Sequence, residues 1–257
     1  MNEVIEEYIN PLNIKQYSSS FIEARPYRFI VVDNFLKPEF CHAVCQAYPS
    51  YKEAQKIGQQ EFKKADEYRK IQITSADLFP GPVQTLAQEL CSDHFCHVLS
   101  EITGIEDLAA DNKFRGAGMH LMQTGAWLSP HVDFNHIEER MYRRLNVILY
   151  LNEDWEEGWG GALEIWDPEM KTCMHVVPPI FNRAVIFNTV PGSFHGVLPV
   201  TCESDRSRNT FASFYYTDTA PPEWEGKFHG TIWGSRPGEK SSKDSLMKSL
   251  SKFLLHR

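Results

Sequence analysis

Between residues 114 and 218, short apolar runs follow one another too closely for helices to fit between them. This spacing constrains the fold more than any other feature of the chain. The clearest runs are 145–151, 162–166, 174–177, 184–187 and 210–216. Turn chemistry separates them at Gly158-Trp159-Gly160-Gly161, Asp167-Pro168, Asn182-Arg183 and Pro191-Gly192. A parallel sheet needs a crossover of a dozen or more residues between strands. The runs therefore predict an antiparallel β core of the sandwich or jelly-roll kind.

The rest of the chain has a different texture. Residues 1–113 read as mainly helical with one early strand over 27–32, which is rich in β-branched and aromatic residues. Asp33-Asn34 breaks that strand. Pro38 then stands at a first helical position, with Phe40, Val44 and Ala47 on one face. A second amphipathic helix is expected over 82–103, from the spacing of Val83, Leu86, Leu90, Val98 and Ile102, with Gly104 as its stop. Residues 1–218 thus form one domain, helical to about 113 and β from 114. Residues 219–257 form an extension ending in a short helix, where Leu246, Leu250, Phe253 and Leu254 recur at helical spacing.

Charge and targeting signals narrow the partners. Lys plus Arg is 26 and Asp plus Glu is 34, a formal charge of −8. Phosphate binding wants a basic face, so no nucleic-acid partner is expected. No apolar run approaches the roughly 20 residues that span a bilayer, and the acidic start lacks the features of a signal peptide. The expectation is a cytoplasmic protein with no membrane partner and six reduced cysteines. The oligomeric state is left open.

One constellation carries chemistry. His131-Val132-Asp133 places an imidazole and a carboxylate two residues apart, on one side of an extended segment. His195 lies at the far end of the same zone. Two histidines and one carboxylate on one face of a metal leave coordination positions open, as in non-haem Fe(II) oxygenases. Alone, the His-x-Asp pair reads more readily as a surface cluster. Arg208 follows 13 residues after His195 and opens the strand Arg208-Asn209-Thr210-Phe211-Ala212-Ser213-Phe214-Tyr215-Tyr216. It could pair bidentately with a ligand carboxylate. A structural ion pair is the competing role, and Arg206, two residues earlier, is the competing arginine.

Taken in order, these pieces resemble the 2-oxoglutarate/Fe(II)-dependent dioxygenases of the prolyl-4-hydroxylase-like type. The likeness runs through Gly125, Ser129-Pro130-His131-Val132-Asp133, Arg144-Leu145-Asn146-Val147-Ile148-Leu149-Tyr150-Leu151-Asn152, Trp155, Gly160-Gly161-Ala162-Leu163, Pro178, Asn182-Arg183-Ala184-Val185-Ile186-Phe187 and His195-Gly196-Val197, then the Arg208 strand. It covers roughly 27–218. It implies a mainly β fold, a double-stranded β-helix (jelly roll, cupin-like) core flanked by N-terminal helices. It implies His131, Asp133 and His195 as the catalytic iron ligands. Arg208 would hold the distal carboxylate of 2-oxoglutarate, and Tyr150 would assist it. A core aromatic with a satisfied hydroxyl is the equal alternative for Tyr150. Asn146 shares a strand side with residues 148 and 150 and would touch co-substrate or substrate.

The resemblance further implies Fe(II), 2-oxoglutarate and O2 as cofactors, with ascorbate as an accessory, and release of succinate and CO2. Its reaction would be hydroxylation of an unactivated C–H bond in a prolyl or peptidyl substrate. A free amino acid or specialised metabolite as substrate, a desaturase or cyclase outcome, and a non-catalytic metal- or ligand-binding β-helix protein are the alternatives. Many relatives carry a tyrosine nine residues before the first ligand histidine, where this chain has Met122.

Other features take plainer readings. Cys91, His94, Cys96 and His97 fall within an expected helix and point apart, against a zinc site. Arg140, Arg143 and Arg144 could meet an acidic substrate, but read first as a solvated basic face. Residues 134–143 read as part of a lid. His120 and His136 could face substrate, but surface or core is the commoner placement; Trp127, Phe134, Trp155, Trp159 and Trp166 could include a pocket wall, with most of them core.

Overall fold

The computed structural model describes residues 7–58, 60–63, 66–137 and 141–239. The N-terminal part runs α1 (Ile14–Glu23), β1 (Phe29–Val32), α2 (Pro38–Ala47), α3 (Tyr51–Ile57), β2 (Gln60–Lys63), β3 (Glu67–Ile73), α4 (Gly81–Leu90) and α5 (Asp93–Thr103). The β part runs β4 (Ala109–Ala110), β5 (Gly118–Val132), β6 (His136–Ile137), β7 (Met141–Tyr150), β8 (Leu163–Trp166), β9 (Cys173–Val177), β10 (Arg183–Asn188), β11 (His195–Val197), β12 (Ser207–Thr217) and β13 (Ile232–Trp233).

The expected strands are present, and every pairing between them is antiparallel. Their order, β1-β10-β7-β12-β5-β11-β8-β9, gives the curled double-stranded β-helix. The helices lie against one face of the curl. On β7, Leu145, Val147 and Leu149 point to that helical layer with Phe21, Val44, Leu86, Leu90, Leu99 and Ile102. Each such buried apolar side chain contributes about 1.5–3 kcal/mol. Asn146, Ile148 and Tyr150 point the other way, into the curl. The period-2 reading of this strand therefore holds in space.

Three departures from the sequence reading have physical causes. The helix expected over 82–103 is two helices, α4 and α5. Ser92 interrupts it because its side chain caps α5, accepting from the Phe95 N–H at 3.1 Å. Gly104 ends α5 in the left-handed conformation, as expected. The hairpin β2–β3 was not anticipated, because its charged sequence shows no alternation. It forms because β3 lies along β5, pairing Ile71 with Leu121 and Ile73 with Met119. The length of β5 was hidden by Gly118 and Gly125. Gly118 is required there: at φ +84°, a Cβ would sit 2.5 Å from the Ile73 carbonyl oxygen.

The extension expected from 219 contributes β13, which pairs with β5 beside His131. The helix expected near the C-terminus lies outside the described residues, as does Arg140. The segment read as a lid is fastened on both sides of its undescribed part, because β6 pairs with β7. No helix among the described residues is long and apolar enough to cross a membrane.

Candidate metal centre

His131 is the penultimate residue of β5 and His195 opens β11, and the two are direct cross-strand partners. Their ring centroids lie 4.4 Å apart. Asp133 stands two residues beyond His131 and folds back between them. Its Oδ1 is 3.5 Å from His131 Nε2 and its Oδ2 is 3.4 Å from His195 Nε2. All three residues are buried, and their donor atoms lie within 4.8 Å of one another. Among the described residues this is the group of His, Cys, Asp and Glu able to hold a metal ion. Cys91, His94, Cys96 and His97 form no such group, and all six cysteines are free.

The tautomers suit metal binding. His131 Nδ1 is 2.9 Å from the Ser129 carbonyl, and His195 Nδ1 is 3.1 Å from the Ser193 carbonyl. A carbonyl only accepts, so each Nδ1 donates its N–H there and each Nε2 is the nitrogen turned toward the cavity. Burial, with His131 alongside, lowers His195 to about 4, so its ring is neutral at ordinary pH. Burial alone would raise Asp133. Arg143, His195 and His131 outweigh it and hold the carboxyl well below the usual range. Two imidazoles with Nε2 turned to the cavity and one ionised carboxylate form a donor set that fits Fe(II).

Arg143 is the residue that sequence reasoning missed. Read as part of a solvated face, it is 1% exposed. Its Nη2 lies 3.1 Å from Asp133 Oδ2, and its guanidinium carbon lies 3.5 Å from the Phe214 ring centroid and 4.5 Å from that of Phe134. The cause is a bulge. Tyr215 pairs with Leu145 but Tyr216 pairs with Arg143, so Arg144 is an extra residue on β7. That residue reverses the alternation and turns Arg143 to the same side as Asn146. Asn146, expected on co-substrate or substrate, spends its side chain on Asp133 instead. It donates to Oδ2 at 2.7 Å and accepts from Arg143 Nε and Nη2 at 2.9 and 2.7 Å.

A cavity of about 80 Å3 opens beside the triad, and Arg208 stands at its far side. Arg208 is 3% exposed. Its Nε donates to the Gly161 carbonyl at 2.6 Å, and Nη1 rests 3.9 Å from Met122 Sδ. Among the described residues no carboxylate pairs with it. A buried cation without an anion is costly, so the cavity favours an anionic occupant. Tyr150 is fully buried next to it, its ring centroid 5.1 Å from the guanidinium carbon, and its hydroxyl has no hydrogen bond of good geometry. Arg206 precedes β12, is exposed, and lies over Trp159, so it does not reach the cavity. Met122 touches Arg208, and Lys70 and His120 share the cavity wall.

A second, larger cavity of about 460 Å3 opens on the other side of Arg143. Phe194 and Pro191 line it from the loop before β11, and Pro221, Trp224 and Phe228 line it from the C-terminal segment. His136 packs on Phe228, not on the triad. Trp233, on β13, places its ring centroid 5.0 Å from that of His131. These C-terminal aromatics carried no legible signal, because nothing local ties residue 233 to residue 131.

Comparison with known proteins agrees with this geometry. Residues 117–216 match the family model described as the 2OG-Fe(II) oxygenase superfamily. Prolyl 3-hydroxylase OGFOD1 of the mouse, Mus musculus, is 33% identical over 95 residues. That alignment covers 35% of this chain but only 17% of that protein. A prolyl-4-hydroxylase of Pseudomonas putida superposes with a TM-score of 0.51 at 18% identity, covering 79% of this chain and 99% of that one. A prolyl hydroxylase of Trichoplax adhaerens, solved in complex with a hypoxia inducible factor oxygen degradation domain peptide fragment, superposes with a TM-score of 0.56 at 16% identity. It covers 80% of this chain and 90% of that one. Both structures share the fold of this chain.

Proposed function

We infer that this chain, whose residues 117–216 match the 2OG-Fe(II) oxygenase superfamily, hydroxylates an unactivated C–H bond of a prolyl residue in a peptidyl substrate. The observation that carries this reading is the single small cavity shared by the His131, Asp133 and His195 donors and the unpaired, buried Arg208. The family implies Fe(II) and 2-oxoglutarate. When bound, they supply oxidative decarboxylation coupled to insertion of an oxygen atom from O2, with release of succinate and CO2. Ascorbate belongs to the same reading as an accessory reductant.

This chain's residues prepare that reaction in four ways. His131, Asp133 and His195 hold the metal by three donors on one side and leave the cavity side open. Arg143 and Asn146 keep Asp133 ionised and aimed. Arg208, with the Tyr150 hydroxyl as a second donor, binds the distal carboxylate of 2-oxoglutarate, which gives the buried cation its missing anion and the hydroxyl an acceptor. The larger apolar cavity beyond Arg143 admits the substrate, and its wall of Pro191, Pro221, Trp224 and Phe228 suits an apolar ring such as that of proline. The likeness to prolyl hydroxylases supports that choice of substrate.

The test is an anaerobic titration with Fe(II) and 2-oxoglutarate, following the visible charge-transfer band of the chelate. The band should appear, and should vanish in Asp133→Ala. Proline-containing peptides should then gain the mass of one oxygen atom, with stoichiometric succinate. Succinate formation that survives His131→Ala, Asp133→Ala or His195→Ala would sink the assignment. Metal binding without the band would remove the 2-oxoglutarate part of it.

A further inference from the structure

The segment beyond residue 218 lies outside the family match, yet it reaches back to the metal-facing end of the sheet. Trp233 pairs with His131 through β13, and the Gly234 N–H donates to the Pro130 carbonyl at 2.7 Å. Two residues later, the Arg236 side chain enters the sheet. Its Nε donates to Glu164 Oε2 at 2.9 Å, and its Nη2 donates to the same oxygen at 2.6 Å. Nη2 also donates to the Leu128 carbonyl at 3.1 Å and the Val197 carbonyl at 3.0 Å. Glu164 is almost fully buried and Arg236 is partly buried, so this is a multiply bonded ion pair shielded mainly on its acidic side.

The place it occupies is specific. His195 pairs with His131, but Val197 pairs with Leu128, so β5 has one residue too many between the two pairs. This bulge lies next to both histidines, and it breaks the ladder that would otherwise hold them in register. Leu128 and Val197 are the residues on its far side, and Arg236 takes the carbonyl of each. Gly196, between His195 and Val197, makes room for the clasp. A Cβ there would lie 3.1 Å from Glu164 Oε2 and 3.1 Å from the Leu128 carbonyl oxygen. Glu164 faces Gly196 from β8, so one guanidinium ties β5, β11 and β8 together.

We propose that Arg236, held by Glu164, is a positioning residue for the metal centre: it braces the β5–β11 bulge and so sets the separation of His131 and His195. The proposal rests on the metal-centre reading above. Metal coordination tolerates only a few tenths of an ångström in ligand position. Groups that orient ligands from outside the coordination shell typically change metal affinity about 10–100-fold.

The experiment is calorimetric and spectroscopic titration of the full chain with Co(II), an air-stable stand-in for Fe(II) that reports its ligand geometry in the visible spectrum. Arg236→Gln should bind Co(II) at least about tenfold more weakly and with an altered band shape. Glu239→Gln, which removes only an exposed partner of Arg236, should stay within twofold of the unaltered chain. Arg236→Lys keeps the charge but loses the second donor, Nε, on Glu164 and the fixed plane of the guanidinium, so it should bind several-fold more weakly. If Arg236→Gln melts cooperatively yet binds Co(II) within twofold and with an unchanged spectrum, Arg236 is a structural tie only and the proposal is wrong. Should Arg236→Gln fail to fold, an unchanged affinity and spectrum in Arg236→Lys overturn it equally. No Co(II) binding by the unaltered chain would overturn the metal-centre reading and this proposal together, which separates the two failures.

Discussion

Replacing Arg143 by methionine removes the cation that faces Asp133 while keeping a long, unbranched side chain in its place. Both residues are buried, and the Nη2–Oδ2 distance is 3.1 Å. At an effective dielectric constant near 20, Coulomb's law gives about 5 kcal/mol for such a contact. Breaking a buried pair by removing one partner typically costs about 3–5 kcal/mol, because the remaining charge is left uncompensated. The loss of the Phe214 and Phe134 ring contacts adds about 1–2 kcal/mol. The losses at the rings and at Asn146 do not depend on the charge of Asp133, so a double-mutant cycle separates them from the ion pair. Chelator-treated protein would be unfolded in urea at pH 7, followed by tryptophan fluorescence and circular dichroism. Arg143→Met should cost several kcal/mol in the unaltered background and only about 1–2 kcal/mol in an Asp133→Asn background. A coupling energy below about 0.5 kcal/mol, with equal m-values, would refute the claim that Arg143 is what keeps Asp133 ionised.

Two further outcomes follow from the site. Arg208→Ala should weaken 2-oxoglutarate binding about 10–100-fold, the loss expected for charged hydrogen bonds, whereas Arg206→Ala should change it less than twofold; calorimetry with the Mn(II)-loaded protein reads both, and the reverse order would exchange the two arginines. His195 titrates at about 4 when folded, against roughly 6.5 when unfolded, so between those values the unfolded chain holds a proton that the folded chain does not. That contribution is present in full above pH 6.5 and is lost on acidification to pH 4, in all about 3 kcal/mol for the metal-free protein; a chelator-treated pH series should flatten in His195→Gln, and an unchanged slope would show that His195 is not neutral in the fold.

The β core and the order of the two histidines and the aspartate that gather there were legible because they depend on local chemistry. Alternation along 145–151 put Asn146, Ile148 and Tyr150 on one side, and the i, i+2 rule put His131 and Asp133 on one side. Of the two competing arginines, Arg208 lines the cavity and Arg206 does not, for a reason other than parity: Arg206 lies before the strand, where alternation does not apply. Arg143 was misread for a related reason. A bulge at Arg144 inverted the alternation, and no residue in that stretch announces a bulge.

What the sequence determined by itself was an antiparallel β core carrying two histidines, an aspartate and an arginine in a fixed order. Strand periodicity and turn chemistry act over a few residues and are written locally. Only the tertiary structure decided what surrounds those groups: Arg143 on Asp133, Asn146 serving the carboxylate, Trp233 against His131, and Arg236 in the bulge between the histidines. Each of these contacts joins separate strands or loops, or depends on a break in strand register. They exist because burial forces every charge and backbone carbonyl near the site to find a partner, wherever in the chain that partner lies.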